Sequence, residues 1–284
     1  MRLIDAFEFI GKQRPTWMTA RGSWKKPVCF NRSHALRLLG ANTKVQKITK
    51  AHLAEMRSTL MSEKVTTSGK VRSVGGVNRI MSLTNTLMRE LFDQEILTRL
   101  VHLKGMKENN QRKGWFRKEQ IEEMCQRARD SGNEELAAAI MFAVYTGCRQ
   151  SEMLNLMARD VDLHSDLMIF RDTKDGDDFE TNILPVIKPL LVERLRVKRG
   201  TQKVFDFRND DQLRDSFYKI RDEMGIDDTH VWHCLRHSTG TWLAEAGISI
   251  NQIAMVLNHK QTSTTERYVK KTSIQRKTAL ESLL

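Results

Sequence analysis

Apolar residues recur at intervals of three and four along much of the chain, the spacing of an amphipathic helix. Leu53, Met56 and Leu60 follow Thr49, which predicts a helix capped by that threonine. Val77, Ile80, Met81, Thr84, Leu87, Met88 and Leu91 form a longer stripe, read as one face of a core helix. Ile121, Met124, Cys125 and Ala128 begin another. The ten-residue apolar run Leu136–Tyr145 reads as a buried helix that ends at Thr146-Gly147. Residues 166–171 and 181–186 look like two short strands around a polar turn at 174–177, a hairpin candidate, with Pro185 placed at a strand end or edge. Helical spacing returns at Leu213, Phe217, Ile220 and Met224. The pattern predicts a mainly α chain with a small β-hairpin or sheet.

Residues 107–114 contain no apolar side chain after Met106 and end in Gly114, so they read as a linker. Charge divides the chain at the same place. The protein has 284 residues and a net charge of +12, and all of that excess falls in residues 1–110. Between Phe9 and Ala54 no acidic residue occurs. A stretch of one sign repels itself and suits an anionic partner. Nucleic acid fits better than a membrane surface, because Pro15, Gly22 and Pro27 interrupt any long amphipathic helix here. Lys25, Lys26, Arg32, Lys44, Lys47 and Lys50 are the candidate DNA contacts. No apolar run is long enough to span a bilayer, and Asp5 and Glu8 stand where a signal peptide would be apolar. Cys29, Cys125, Cys148 and Cys234 lie far apart without a CxxC pair, which suits reduced cytosolic thiols.

Four local groups in the second half could carry chemistry. In Thr146-Gly-Cys-Arg-Gln-Ser-Glu152, Arg149 and Glu152 are three apart and share a helix face; alone they read as a surface ion pair. In His233-Cys-Leu-Arg-His237, the two histidines have a zinc-compatible spacing, with His230 as a further ligand candidate. Cys234 stands where the zinc-protease pattern requires Glu, so no metal is assigned. Leu257-Asn-His259 is followed nine residues later by Tyr268. Lys174 sits at the hairpin turn, where a lysine alone is commonly a solvated side chain.

Taken in order, these groups resemble the tyrosine recombinase family, of the bacteriophage integrase type. The resemblance rests on a TGxRxSE box, a TKxG hairpin, an HxLRH box and an LxH box followed by tyrosine, and spans about half the chain. It implies a two-domain architecture: a helical core-type DNA-binding domain over 1–106, a linker over 107–114 and a mixed α+β catalytic domain over 115–284. A tail helix over 272–284 would by itself dock on its own domain; the resemblance implies its exchange between neighbours instead. No separate arm-binding domain is expected ahead of residue 1. The resemblance also implies Arg149, Lys174, His233, Arg236, His259 and the nucleophile Tyr268 as catalytic residues, with Glu152 in support and no cofactor. The partners it implies are double-stranded DNA, a homotetramer on two DNA sites, and an accessory bending or directionality protein, all in the cytoplasm of a bacterial host. A type IB topoisomerase-like enzyme, a catalytically silent DNA-binding regulator and a metal-dependent nuclease are the alternatives. The sequence departs from the family at Asn258, where glycine is usual, and in the acidic turn Asp175, Asp177 and Asp178. Asparagine tolerates the left-handed conformation, so Asn258 is expected to preserve the turn. The acids are expected either to draw Lys174 aside or to face solvent.

Overall fold

The computed structural model describes residues 1–19, 22–65, 69–108, 114–173, 176–261 and 264–266. The chain divides into two compact units, Met1–Gln111 and Arg112–Leu284, each with its own core.

The first unit is built from helices. α1 (Leu3–Gln13) buries Leu3, Ala6, Phe7 and Ile10 along one stripe. α2 (Lys26–Leu39) starts with Pro27 in its first turn, where the missing N–H has no helical partner to lose. Pro27, expected to interrupt a helix, stands instead at a helix start. α3 (Lys50–Ser62) is capped by Thr49. Its hydroxyl accepts from the His52 N–H at 3.4 Å, and Thr49 N–H donates back to His52 Nδ1 at 3.1 Å. α4 (Val74–Asp93) presents the long apolar stripe to the core, where Val77, Ile80, Leu87 and Leu91 meet Leu53 and Leu60 of α3. The segment after α4 is pinned back along it. Asn85 donates to the Leu103 carbonyl at 2.9 Å and accepts from Leu103 N–H; Asn78 does the same with Met106. Asn78 also donates to Glu108 at 2.6 Å, so ordered contacts run two residues past Met106.

The second unit packs helices around one small sheet. α5 (Lys118–Asp130), α6 (Glu134–Thr146) and α7 (Gln150–Asn155) lead into three antiparallel strands: β1 (Val161–Asp162), β2 (Leu167–Phe170) and β3 (Phe179–Asn182). β2 is central, and its alternate residues Met168 and Phe170 enter the core. The register pairs Phe170 with Phe179 and Leu167 with Asn182. The expected second strand at 181–186 is therefore shifted towards the N-terminus. Its apolar tail, Ile183 to Val186, bends instead into α8 (Lys188–Leu195), and Pro185 lies outside the sheet. α9 (Asp210–Glu223), α10 (Cys234–Glu245) and α11 (Ile250–Val256) complete the unit. Rings of Phe142, Phe205, Phe217 and Trp232 pack tilted or edge-on, with centroids 5.0 Å apart for Phe142–Phe205 and 5.2 Å for Phe217–Trp232. Among the described residues no helix is long and apolar enough to cross a membrane.

α10 is buried on almost every side although it reads Cys-Leu-Arg-His-Ser-Thr-Gly-Thr. Its polar groups are satisfied in place, as burial requires. Ser238 donates to the Cys234 carbonyl at 2.8 Å and accepts from the Phe116 N–H at 2.7 Å. Thr239 donates to the Val144 carbonyl of α6 at 2.7 Å. This packing holds Arg236 deep within the unit.

Candidate active site

The site begins where α6 stops. Thr146 returns its hydroxyl to the Phe142 carbonyl at 2.7 Å, and Gly147 takes a left-handed φ of +64°. A Cβ at Gly147 would stand 2.6 Å from Leu257 Cδ2 and 3.2 Å from Thr239 Cγ2. Both the backbone conformation and the close approach require glycine. The turn delivers Arg149 to the start of α7. There Glu152 accepts from the Arg149 backbone N–H at 2.7 Å and from Arg149 Nη1 at 2.6 Å. Glu152 is 7% exposed, so this is a partly buried, charge-assisted cap rather than a surface ion pair.

Arg236 approaches from α10. Its Nη1 donates to the Gly147 carbonyl at 2.7 Å, and its Nη2 donates to the Leu257 carbonyl. Arg149 Nη2 donates to the next carbonyl, that of Asn258, at 3.3 Å. Two guanidiniums from distant parts of the chain thus grip one turn after α11. Asn258 stands at φ +46°, the left-handed conformation that its side chain tolerates. The residue after it, His259, has Nδ1 2.8 Å from the hydroxyl of buried Thr265. His233 lies exposed just before α10, its ring edge-on to that of buried His237 with centroids 4.7 Å apart. Arg149, Glu152, Arg236 and His259 are brought together by this hydrogen-bonded frame. Lys174, Tyr268 and the expected tail helix at 272–284 lie outside the described residues.

Cys148 lies within this frame, and burial pushes its thiol up to about 12. His230 is 3.2 Å from Asp227 and packs on Phe116. Among the described residues, no group of three His, Cys, Asp or Glu side chains is placed to hold a metal ion.

The acidic hairpin finds specific partners. Asp178 binds Arg171 at 2.6 Å, and Arg171 also reaches buried Asp160 at 3.0 Å. The Arg171 guanidinium holds the Asp178 carboxyl below its ordinary range. Asp177 binds Lys260 at 2.7 Å. Both acids face solvent, as one of the two expectations had it, and each also holds a basic partner there.

In the first unit, Lys25, Lys26, Lys44, Lys47 and Lys50 are exposed. Arg32 is not available in the same way. It bonds Glu8 at 2.5 Å and lies over Trp24 at 4.8 Å, its side chain only 16% exposed. Its charge is legible in sequence, but its partner, 24 positions away, is not. The outer face of α4, not among the expected contacts, carries exposed Arg79, Ser82 and Arg89 at helical spacing.

A mixed α/β unit that buries one arginine and pairs a second with a glutamate, both beside a Leu-Asn-His turn, defines the class. Residues 114–274 match the sequence model of the phage integrase family, and the chain belongs to that family, the tyrosine recombinases. Tyrosine recombinase XerA of Saccharolobus solfataricus is 28% identical over 144 residues, 51% of this chain and 46% of that protein. The matched segment therefore spans about half the length of that curated relative. The fold is that of the Tn1549 transposon integrase bound to a circular intermediate DNA, with a TM-score of 0.77, 14% identity and full coverage of both chains. It is similarly that of a lambda integrase tetramer on a Holliday junction, with a TM-score of 0.73, 17% identity and coverage of 96% of this chain and 79% of that one.

Proposed function

We propose that this protein is a site-specific DNA recombinase that cuts and rejoins strands through a 3′-phosphotyrosyl intermediate, integrating and excising phage or mobile-element DNA. The observation that carries the proposal is the convergence of Arg149 and Arg236 on the carbonyls of residues 257 and 258, beside His259. Fixed guanidiniums suit the non-bridging oxygens of a phosphodiester, where negative charge builds in the transition state. Glu152 holds Arg149 in place by accepting from both its backbone and its side chain. His259 adds a hydrogen bond to the same phosphate.

Tyr268 supplies the nucleophile. Its oxygen attacks phosphorus while the proton passes to His233, and the bond from phosphorus to the 5′ oxygen breaks. Lys174 gives that oxygen its proton, so the products are a phosphotyrosyl bond and a free 5′ hydroxyl. A 5′ hydroxyl from a partner duplex reverses the step and seals a recombinant strand. No cofactor is consumed, because the phosphodiester energy is kept in the tyrosyl link.

The first unit would clamp the double-stranded DNA through Lys25, Lys26, Lys44, Lys47 and Lys50, with Arg79 and Arg89 on α4 as further contacts. The lambda integrase tetramer on a Holliday junction supports a tetrameric assembly here. We further place that tetramer on two DNA sites inside a bacterial host, with an accessory bending or directionality protein. Covalent capture tests the proposal. Protein mixed with total DNA from the organism encoding it is quenched with detergent, and linked fragments are sequenced. A few sharply defined sites, absent with Tyr268→Phe, are expected. Links scattered over many sequences would indicate a topoisomerase-like enzyme instead, and DNA binding without links a silent regulator.

A further inference from the structure

The acidic turn between β2 and β3 has a partner that the reaction scheme above does not use. Residues 171–178 join the strands, and the described ones, 171–173 and 176–178, are braced in two ways. At the base, Asp178 accepts from Arg171 at 2.6 Å and from the Asp172 N–H at 3.0 Å, and Arg171 is tied to Asp160. Nearer the tip, Thr173 N–H donates to the Asp177 carbonyl at 3.1 Å and Gly176 N–H donates to the Thr173 carbonyl at 2.7 Å. Gly176 at φ +83° allows the chain to close in this way. Apart from the tie to Asp160, which directly precedes β1, these contacts stay within the hairpin. The Asp177 carboxylate leaves it and binds Nζ of Lys260 at 2.7 Å, across 83 positions of sequence.

Lys260 directly follows His259. Both line one cleft with Phe179 to Asn182 of β3 and Ala254 to Val256 of α11. The ion pair therefore joins two segments that the proposed chemistry needs at one phosphate: the loop containing position 174 and the turn containing His259. We propose that Asp177 and Lys260 are a positioning pair, a latch that sets the loop bearing the leaving-group acid against the His259 turn. This rests on the recombinase reading of the site. It also accounts for an acid on a loop that must approach DNA, since Lys260 neutralises Asp177 where a bare carboxylate would repel phosphate.

Charge exchange tests the latch. Asp177→Lys, Lys260→Asp and the double exchange are compared in single-turnover cleavage of a duplex carrying a captured site. The same duplex with sulfur in place of the scissile 5′ oxygen is the second substrate, because a thiolate leaves without a proton. With DNA saturated by protein, so that any change in affinity is removed from the rate, each single change is expected to slow cleavage of ordinary DNA roughly two- to fivefold, the range open to an exposed ion pair. The double exchange should restore the rate. On the sulfur duplex the single variants should cleave as fast as the unaltered protein, which a merely structural defect would not allow. Unchanged single variants, equal losses on both duplexes, or a double exchange as slow as the singles would overturn the latch. If Lys174→Ala gains nothing from sulfur, the acid assignment fails on its own. The exchange result on ordinary DNA then still decides whether the pair positions the loop.

Discussion

Arg149 donates to the carbonyl of Asn258 at 3.3 Å, across 109 positions of sequence. The carbonyl can face Arg149 because Asn258 adopts φ +46°. The family's usual glycine and this asparagine solve one backbone problem in two ways, since a left-handed conformation costs other L-residues about 1–2 kcal/mol. Asn258→Gly is therefore expected to keep both stability and cleavage. Asn258→Val should lower stability by about 1–2 kcal/mol and slow cleavage, because a relaxed turn withdraws its carbonyl from Arg149. Chemical denaturation and single-turnover cleavage check both.

Glu152 accepts twice from Arg149 while almost fully buried. Glu152→Gln keeps the acceptor oxygen for the Arg149 N–H and removes the charge. Cleavage should fall about ten- to a hundredfold, a loss of roughly 1.4–2.8 kcal/mol at the transition state, with DNA affinity retained. Glu152→Ala should also lower stability, by about 1–3 kcal/mol, because it leaves buried donors unpaired. A Gln variant as active as the unaltered protein would free Arg149 from any dependence on that charge.

The exposed lysines of the first unit and its internal arginine should separate in a salt titration. Each of Lys25, Lys26, Lys44, Lys47 and Lys50 that touches phosphate should reduce the slope of log affinity against log salt by about 0.9 when changed to Gln. Arg32→Gln breaks the pair with Glu8 and the contact over Trp24, so it should lower the melting temperature and leave the slope unchanged. Fluorescence anisotropy on one duplex at several salt concentrations reads both effects.

The cysteines give a pH-dependent prediction. Burial pushes the Cys125 and Cys148 thiols up to about 12, whereas Cys29 is exposed. Iodoacetamide at pH 8.5 should label Cys29 well before the other two. The linkage has a definite sign. The folded state keeps both thiols protonated, so their contribution is full below the unfolded value near 8.5 and is lost as pH rises towards 12. Cys148→Ser should change the steepness of that alkaline loss; labelling of Cys148 in the folded protein would contradict its burial.

Much of this was readable from short-range pattern. The α4 stripe, the Thr49 cap and the end of α6 at Gly147 follow from spacing and local backbone chemistry. The failures have physical causes. α2 hides behind Pro27, which breaks a helix interior but suits a first turn. β3 is misplaced because Ile183 to Val186 is apolar enough to resemble a strand, while Phe179 to Asn182 pairs with β2. Burial of α10 is invisible to a hydrophobic pattern, since its Ser and Thr hydroxyls are satisfied by carbonyls as far away as Val144. The motifs name Arg149 and Arg236 but not their grip on residues 257 and 258, which exists only once α6, α10 and α11 have packed.

The central claim is that Arg149, Arg236 and His259 hold a phosphate for attack by Tyr268. Its most direct test is the bond itself. Captured protein–DNA complexes are digested with nuclease and protease, and the adduct is located by tandem mass spectrometry while the released DNA end is identified. The account predicts a nucleotide 3′ phosphate on the Tyr268 oxygen and a free 5′ hydroxyl on the other fragment. An adduct on another residue, a link through a 5′ phosphate, or an undiminished adduct in Tyr268→Phe would contradict it.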